Sequence, residues 1–162
     1  MPTLRHATVA DAELITRQRH QMFADNDLAT EGAYAAMDAN FLPWVTERLA
    51  DGRYSGLFIV ENGEVLAAAG IFYMDFPPHF LDPQPVRAYL LNFYTAPHAR
   101  GRGYAKQLLK ACVDECHSRN VQVITLHASK FGKPIYEKFG FVQHNEMALR
   151  DREKQGKAGQ AG

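Results

Sequence analysis

The chain is constrained most by one continuous unit: a nearly unbroken apolar run over residues 87–95, a basic glycine turn, and an amphipathic helix that ends near Asn120. The run carries Tyr89, Leu90, Leu91, Phe93 and Tyr94, and so predicts a central strand covered on both faces. The turn reads Arg100-Gly101-Arg102-Gly103-Tyr104-Ala105 and leads straight into the helix. Residues 121–127 predict a further strand, which makes the helix a crossover between two strands that run parallel or splay apart. On the helix, Cys112 and Cys116 share an apolar stripe with Ala105, Leu108, Leu109 and Val113, where cysteine packs as a small hydrophobe.

The flanking segments supply more strands and helices. Residues 4–7 alternate like a short strand, and Thr8 followed by Asp11 resembles a capping box at the start of a helix over residues 10–23. A polar connection over residues 24–32 precedes a second helical stretch, residues 33–50, which Pro43 is expected to divide into two shorter helices meeting near Trp44. Residues 57–60 and 65–74 flank Glu61-Asn62-Gly63-Glu64 and predict a hairpin. Prolines 77, 78, 83 and 85 make residues 75–85 a loop. A short helix is expected over residues 133–139, stopped by Gly140, with residues 141–149 as a last strand or hairpin arm. A length of 162 residues fits a single domain over residues 1–150, followed by a disordered tail over residues 151–162.

Composition narrows the function. With 18 basic and 18 acidic residues the formal charge is zero, which argues against a broad face for nucleic acid or anionic lipid. No stretch approaches the ~18 apolar residues of a membrane span, and residues 1–10 lack a secretory signature, so a cytoplasmic protein is expected. The seven histidines show no H-E-x-x-H pattern and the two cysteines lack a second pair, so no metal site is expected. Any anion must therefore be held locally, and the turn at residues 100–105 is built for one. A helix N-terminus offers amides without intrahelical partners and a partial positive charge. Gly101 and Gly103 let an anion approach the backbone, and Arg100 and Arg102 add charge, so the turn reads as a pyrophosphate cradle. Neither a Gly-x-x-x-x-Gly-Lys-Ser/Thr loop nor a Gly-x-Gly-x-x-Gly fingerprint is present.

The order Arg-x-x-Gly-x-Ala, from Arg100 through Gly103 to Ala105, resembles the acyl-CoA pyrophosphate motif of the GNAT superfamily of N-acyltransferases. Tyr136-Glu137-Lys138-Phe139-Gly140-Phe141 resembles that superfamily's late Tyr-Glu-Lys-x-Gly-Phe segment, about thirty residues after the turn. The resemblance spans residues 4–149 and is strongest over residues 89–141. It implies a mixed α+β form of the α/β class: a twisted, mostly antiparallel sheet with splayed central parallel strands, flanked by helices. It also implies acetyl-CoA as acyl donor in the wedge, contacting main-chain groups of Phe93, Tyr94 and Thr95, with Arg100, Gly101, Arg102, Gly103, Tyr104 and Ala105 at the pyrophosphate.

By the same resemblance Tyr136 protonates the departing thiolate, a step suited to a phenol that stays protonated at neutral pH; ring packing in the core is the other reading of this residue. Several members carry a glutamate base on the strand before the turn, where this chain has Asn92; an asparagine could orient a water or the acceptor, or satisfy a strand irregularity. Asp75, His79 and Glu31 are alternative bases. Ser129 stands where many relatives have an asparagine that contacts the pantetheine or acceptor side, and it fits equally as an N-cap for the short helix. The expected activity is acetyl transfer to the primary amine of a small molecule by direct attack. A non-catalytic acyl-CoA-binding or sensing module and a protein or peptide N-acetyltransferase are the alternatives. Acidic residues Asp25, Asp27, Glu31 and Asp38 are compatible with a cationic amine, and the proline-rich loop with partial closure of its site. A homodimer is compatible with the sequence but not encoded in it.

Overall fold

A five-stranded sheet in the order β1-β2-β3-β4-β5 organises residues 1–151, the residues that the computed structural model describes. The strands are β1 (Thr3–His6), β2 (Tyr54–Glu61), β3 (Glu64–Asp75), β4 (Val86–Thr95) and β5 (Ile124–Leu126). The helices are α1 (Ala12–Asp25), α2 (Glu31–Asp51), α3 (Tyr104–Ser118) and α4 (Lys133–Phe139). Pairing is antiparallel from β1 to β4, and β4 pairs with β5 in parallel. The β2–β3 turn places Asn62 and Gly63 at φ of +52° and +79°, the left-handed pair that a tight hairpin requires.

Helices cover both faces of the sheet. Leu108, Leu109, Cys112 and Cys116 of α3 pack on Leu57, Ile59, Ile71 and Leu90, and all of them are buried. Both cysteines sit in this core, and burial pushes the Cys116 thiol up to about 11. On the other face Ile15 of α1 with Phe41 and Val45 of α2 packs on Tyr54, Phe58 and Leu91. Each fully buried aliphatic or aromatic side chain contributes on the order of 1.5–3 kcal/mol, so the two layers fix where β4 lies.

Three elements differ from expectation. Pro43 does not divide α2, which runs unbroken over Glu31–Asp51. Both Pro43 and Ala39, whose carbonyl loses its partner, face solvent, so water replaces the missing bond while Phe41 and Val45 hold the helix to the sheet. The strand predicted over residues 121–127 is limited to Ile124–Leu126. Its first residues serve α3 instead: Asn120 is left-handed at φ of +58°, and the amides of Asn120 and Val121 donate to the carbonyls of His117 and Cys116, a Schellman end with Val121 buried.

Residues 141–149 form no strand. The Phe141 amide closes α4 by donating to the Tyr136 carbonyl, and residues 143–149 beyond it are exposed, so no buried face draws them into the sheet. Of the tail expected from residue 151, all but Asp151 lies outside the described residues. Among the described residues no helix is long and apolar enough to cross a membrane.

Candidate active site

Parallel pairing between β4 and β5 covers only Ala88, Tyr89 and Leu90, matched with Ile124, Thr125 and Leu126. Beyond Leu90 the strands part, and residues 91–95 of β4 have no strand partner on that side among the described residues. Such an edge leaves main-chain donors and acceptors that require a partner. Phe93, Tyr94 and Thr95 lie on it. Their other edge is joined to β3, with Tyr94 opposite Ala68 and Thr95 opposite Ala67.

The edge runs into the glycine turn. Gly101 and Gly103 have φ of +77° and +79°, a left-handed region where glycine is unstrained, and Gly103 caps α3. A Cβ at either position would meet no heavy atom within 4 Å, so the turn is open on the ligand side. A cavity of about 210 Å³ lies here, walled by Thr95, Arg100, Gly101, Gly103, Ala105 and, from α4, Ile135. The first amides of α3, beginning at Tyr104 and Ala105, open the helix with partial positive charge. The Tyr104 ring itself is buried in the core, so it is the backbone of this residue that serves the turn. Arg100 Nε donates to the Thr95 carbonyl at 3.3 Å and its Nη2 pairs with Asp25 Oδ2 at 3.2 Å, while Arg102 Nη2 donates to the His98 carbonyl. Both arginines thus brace the turn. An acyl-CoA fits this donor set: open glycines, helix-end amides and two cations for a diphosphate, followed by an unpaired strand edge for an amide-bearing arm.

Tyr136 of α4 faces the same wedge. Its ring stacks edge-on against Phe93 with centroids 5.7 Å apart, and Gly132 makes the room, since a Cβ there would meet Tyr136 Cε2 at 2.9 Å. Burial pushes the phenol up to about 12, so it remains a proton donor at neutral pH. Ser129 has a use within the turn itself: its Oγ accepts from the Gly132 amide at 3.1 Å just ahead of α4.

Asn92 is buried and left-handed, at φ of +59°. It marks a bulge, because β3 pairs Gly70 with Leu91 but Ala68 with Tyr94. Its Oδ1 accepts from Arg19 Nη1 at 2.8 Å and its Nδ2 donates to Tyr54 Oη at 3.0 Å, so the amide side chain is occupied at both ends. The strand irregularity anticipated for Asn92 is therefore present. Its partners, 73 and 38 residues away in sequence, are not signalled by any local pattern.

The alternative bases scatter. Asp75 pairs with Val86 at the start of β4, about 30 Å from Thr95 at ~3.3 Å per residue along the strand. His79 bridges Asp82 in the adjoining loop at the same end, so the proline-rich loop does not close over the wedge. Instead Asp82 accepts from the amides of Gln84 and Gln122, which pins the loop to the start of the β5 segment and lowers the pKa of that carboxyl. Glu31 lies 3.7 Å from His20 Nε2, while Asp38 Oδ2 accepts from His20 Nδ1 at 2.5 Å. With Asp25 on Arg100, and Glu31 and Asp38 on His20, acids expected to attract a cationic amine have basic partners in the protein. A pair not anticipated lies at the mouth of the wedge: His127 Nδ1 and Tyr89 Oη are hydrogen-bonded at 2.7 Å, with His127 directly after the last β5 residue.

Comparison with known proteins agrees with this geometry. The model of the acetyltransferase (GNAT) domain family matches residues 21–152. The crystal structure of a GCN5-related N-acetyltransferase from Ralstonia eutropha JMP134 is 33% identical, superposes with a TM-score of 0.88, and covers 94% of this chain and 99% of its own. A predicted acetyltransferase from Clostridium acetobutylicum, crystallised with acetyl-CoA, is 29% identical at a TM-score of 0.86, covering 95% of this chain and 98% of its own. An uncharacterized N-acetyltransferase of Bacillus subtilis (strain 168), YhfO, is 26% identical over 146 residues, which is 86% of this chain and 89% of that protein.

Proposed function

The chain belongs to the GNAT acetyltransferase family, and from that premise we propose that it transfers the acetyl group of acetyl-CoA to the primary amine of a small molecule by direct attack, in the cytoplasm. The observation that carries the reading is the unpaired edge of residues 91–95 running into the open glycine turn. The Clostridium relative crystallised with acetyl-CoA supports the choice of donor.

The residues divide the work. Amides of the Gly103–Ala105 turn, with Arg100 and Arg102, hold the diphosphate, and main-chain groups of Phe93, Tyr94 and Thr95 hold the pantetheine arm. The backbone amide after the Asn92 bulge polarises the thioester oxygen as charge develops there. Tyr136, kept neutral by burial, gives its proton to the departing sulfur. Asn92, tied at both ends of its amide, shapes the backbone and takes no proton. His127, exposed beside the wedge, receives the proton that the attacking ammonium must lose.

The test is release of CoA thiol from acetyl-CoA across a panel of amines, amino acids, amino sugars and peptides. Wild type acetylates at least one small amine more efficiently than any peptide. Tyr136→Phe lowers kcat by about 100-fold, within the usual range for general acid–base catalysis, and leaves the acetyl-CoA Kd unchanged. Gly103→Glu abolishes acetyl-CoA binding. Unchanged turnover in Tyr136→Phe removes the proton-donor role. Tight acetyl-CoA binding without transfer to any acceptor identifies a sensing module instead.

A further inference from the structure

Acetyl transfer as proposed leaves one feature unused: a largely buried cation with no counter-ion among the described residues. Arg19 projects from α1 onto the sheet face that carries Asn92, with its guanidinium 4.9 Å and 5.0 Å from the ring centroids of Phe23 and Phe41. Its electrostatic neighbours are the phenols Tyr89 and Tyr54, with no carboxylate among them, and burial pushes its pKa down. Its Nε is buried without a hydrogen-bond partner among the described residues. Aromatic faces offset part of the cost of such a charge, but its desolvation and its unbonded Nε remain costs that a carboxylate partner would ordinarily relieve. Arg19 therefore calls for a reason other than stability.

The reason lies at its hydrogen bond to Asn92. Asn92 holds a left-handed backbone in the middle of a strand, a conformation that asparagine tolerates better than other side-chain-bearing residues but that a regular ladder does not contain. No β5 ladder reaches this residue, and the β3 ladder slips register beside it. What remains to hold it is the side chain, gripped by Arg19 on the oxygen and Tyr54 on the nitrogen. Tyr54 is itself set by Gly70, where a Cβ would stand 2.1 Å from the Tyr54 hydroxyl.

We propose that Arg19 is a positioning residue for acyl transfer: through Asn92 it holds the β4 bulge in its left-handed form and so fixes the peptide group that faces the thioester oxygen. The proposal rests on the functional reading above. It makes the arginine dispensable for folding and for donor binding, and necessary for the rate.

The experiment uses the full chain, acetyl-CoA and the best amine from the panel, with kcat, acetyl-CoA Kd by calorimetry and melting temperature read separately. Arg19→Met, which keeps the contacts with Phe23 and Phe41, lowers kcat at least tenfold while Kd stays within about threefold, and the melting temperature falls by no more than the several degrees expected from the orphaned Asn92 Oδ1. Arg19→Lys recovers part of the rate. Asn92→Gly removes the amide that Arg19 grips and frees the backbone to leave the bulge geometry, so it lowers kcat, and adding Arg19→Met to it produces no further loss. Equal kcat in Arg19→Met and wild type overturns the proposal. So does a loss from Arg19→Met that is as large in the Asn92→Gly background as alone, or a fall in melting temperature and donor affinity that accounts for the lost rate. A wild type that binds acetyl-CoA yet acetylates nothing overturns the functional reading and this proposal with it. An active wild type with a silent Arg19→Met variant overturns only the second.

Discussion

Replacing Gly103 by alanine separates the energy of folding the turn from the energy of holding the donor. Because a Cβ at Gly103 meets no heavy atom within 4 Å, steric clash contributes nothing. The folding penalty is that of a left-handed φ of +79° alone, about 1–2 kcal/mol for an L-residue. In a domain of this size it lowers the melting temperature by roughly 2–8 °C. The ligand penalty is different in kind. If the turn relaxes toward negative φ, the amides of Tyr104 and Ala105 lose their common aim, and each charge-assisted hydrogen bond lost is worth roughly 1.5–3 kcal/mol. One such bond corresponds to about a 10- to 100-fold rise in Kd. Calorimetry with acetyl-CoA, beside turnover of S-acetylpantetheine, which has no diphosphate, reads the two terms apart. The expected result is weaker acetyl-CoA binding with S-acetylpantetheine turnover retained. A normal acetyl-CoA Kd in a variant with a lowered melting temperature, or equal losses with both donors, would refute a diphosphate site at this turn.

Other perturbations follow from single contacts. Gly70→Ala drives a methyl group against Tyr54 and destabilises by about 1–3 kcal/mol in thermal unfolding. Adding Tyr54→Phe restores only part of this, since Tyr54 Cζ would remain 2.5 Å from the new carbon. The Asp38 hydrogen bond raises the His20 pKa, so its stabilisation is complete below the ordinary imidazole value near 6.5 and fades as pH rises through the raised one. Denaturant titrations of wild type and Asp38→Asn then differ more near pH 6 than near pH 9, and a constant difference removes the contribution. His127→Gln lowers kcat about tenfold without changing acetyl-CoA Kd, and an unchanged kcat assigns the proton to bulk water.

Legibility in the sequence followed the range of the interactions. The glycine turn, the hairpin at Asn62-Gly63 and the apolar stripe of α3 depend on neighbours a few residues apart, and the pattern of residue types exposes them. Pro43 misled because its cost depends on which way the helix faces, and the core on the opposite side holds α2 straight. Val121 read as strand because a buried branched residue looks the same whether it pairs with a strand or closes a helix end. Asn92 stood out as polar in an apolar run, yet its meaning depends on Arg19, Tyr54 and Gly70, which only the folded chain brings together. Asp75 and His79 were drawn to the site by chemistry alone, whereas strand register carries them to the far end of the sheet.

The place where β4 outruns β5 also filters what can enter by shape. An exposed strand edge ordinarily recruits strands from other chains. This opening extends over residues 91–95, about 13 Å at ~3.3 Å per residue, with the β5 ladder blocking one end and the α3 turn the other. A strand longer than that opening is stopped at both ends, whereas a slender thread one amide wide, the shape of an acyl-CoA arm, can bend in from solvent and lie down.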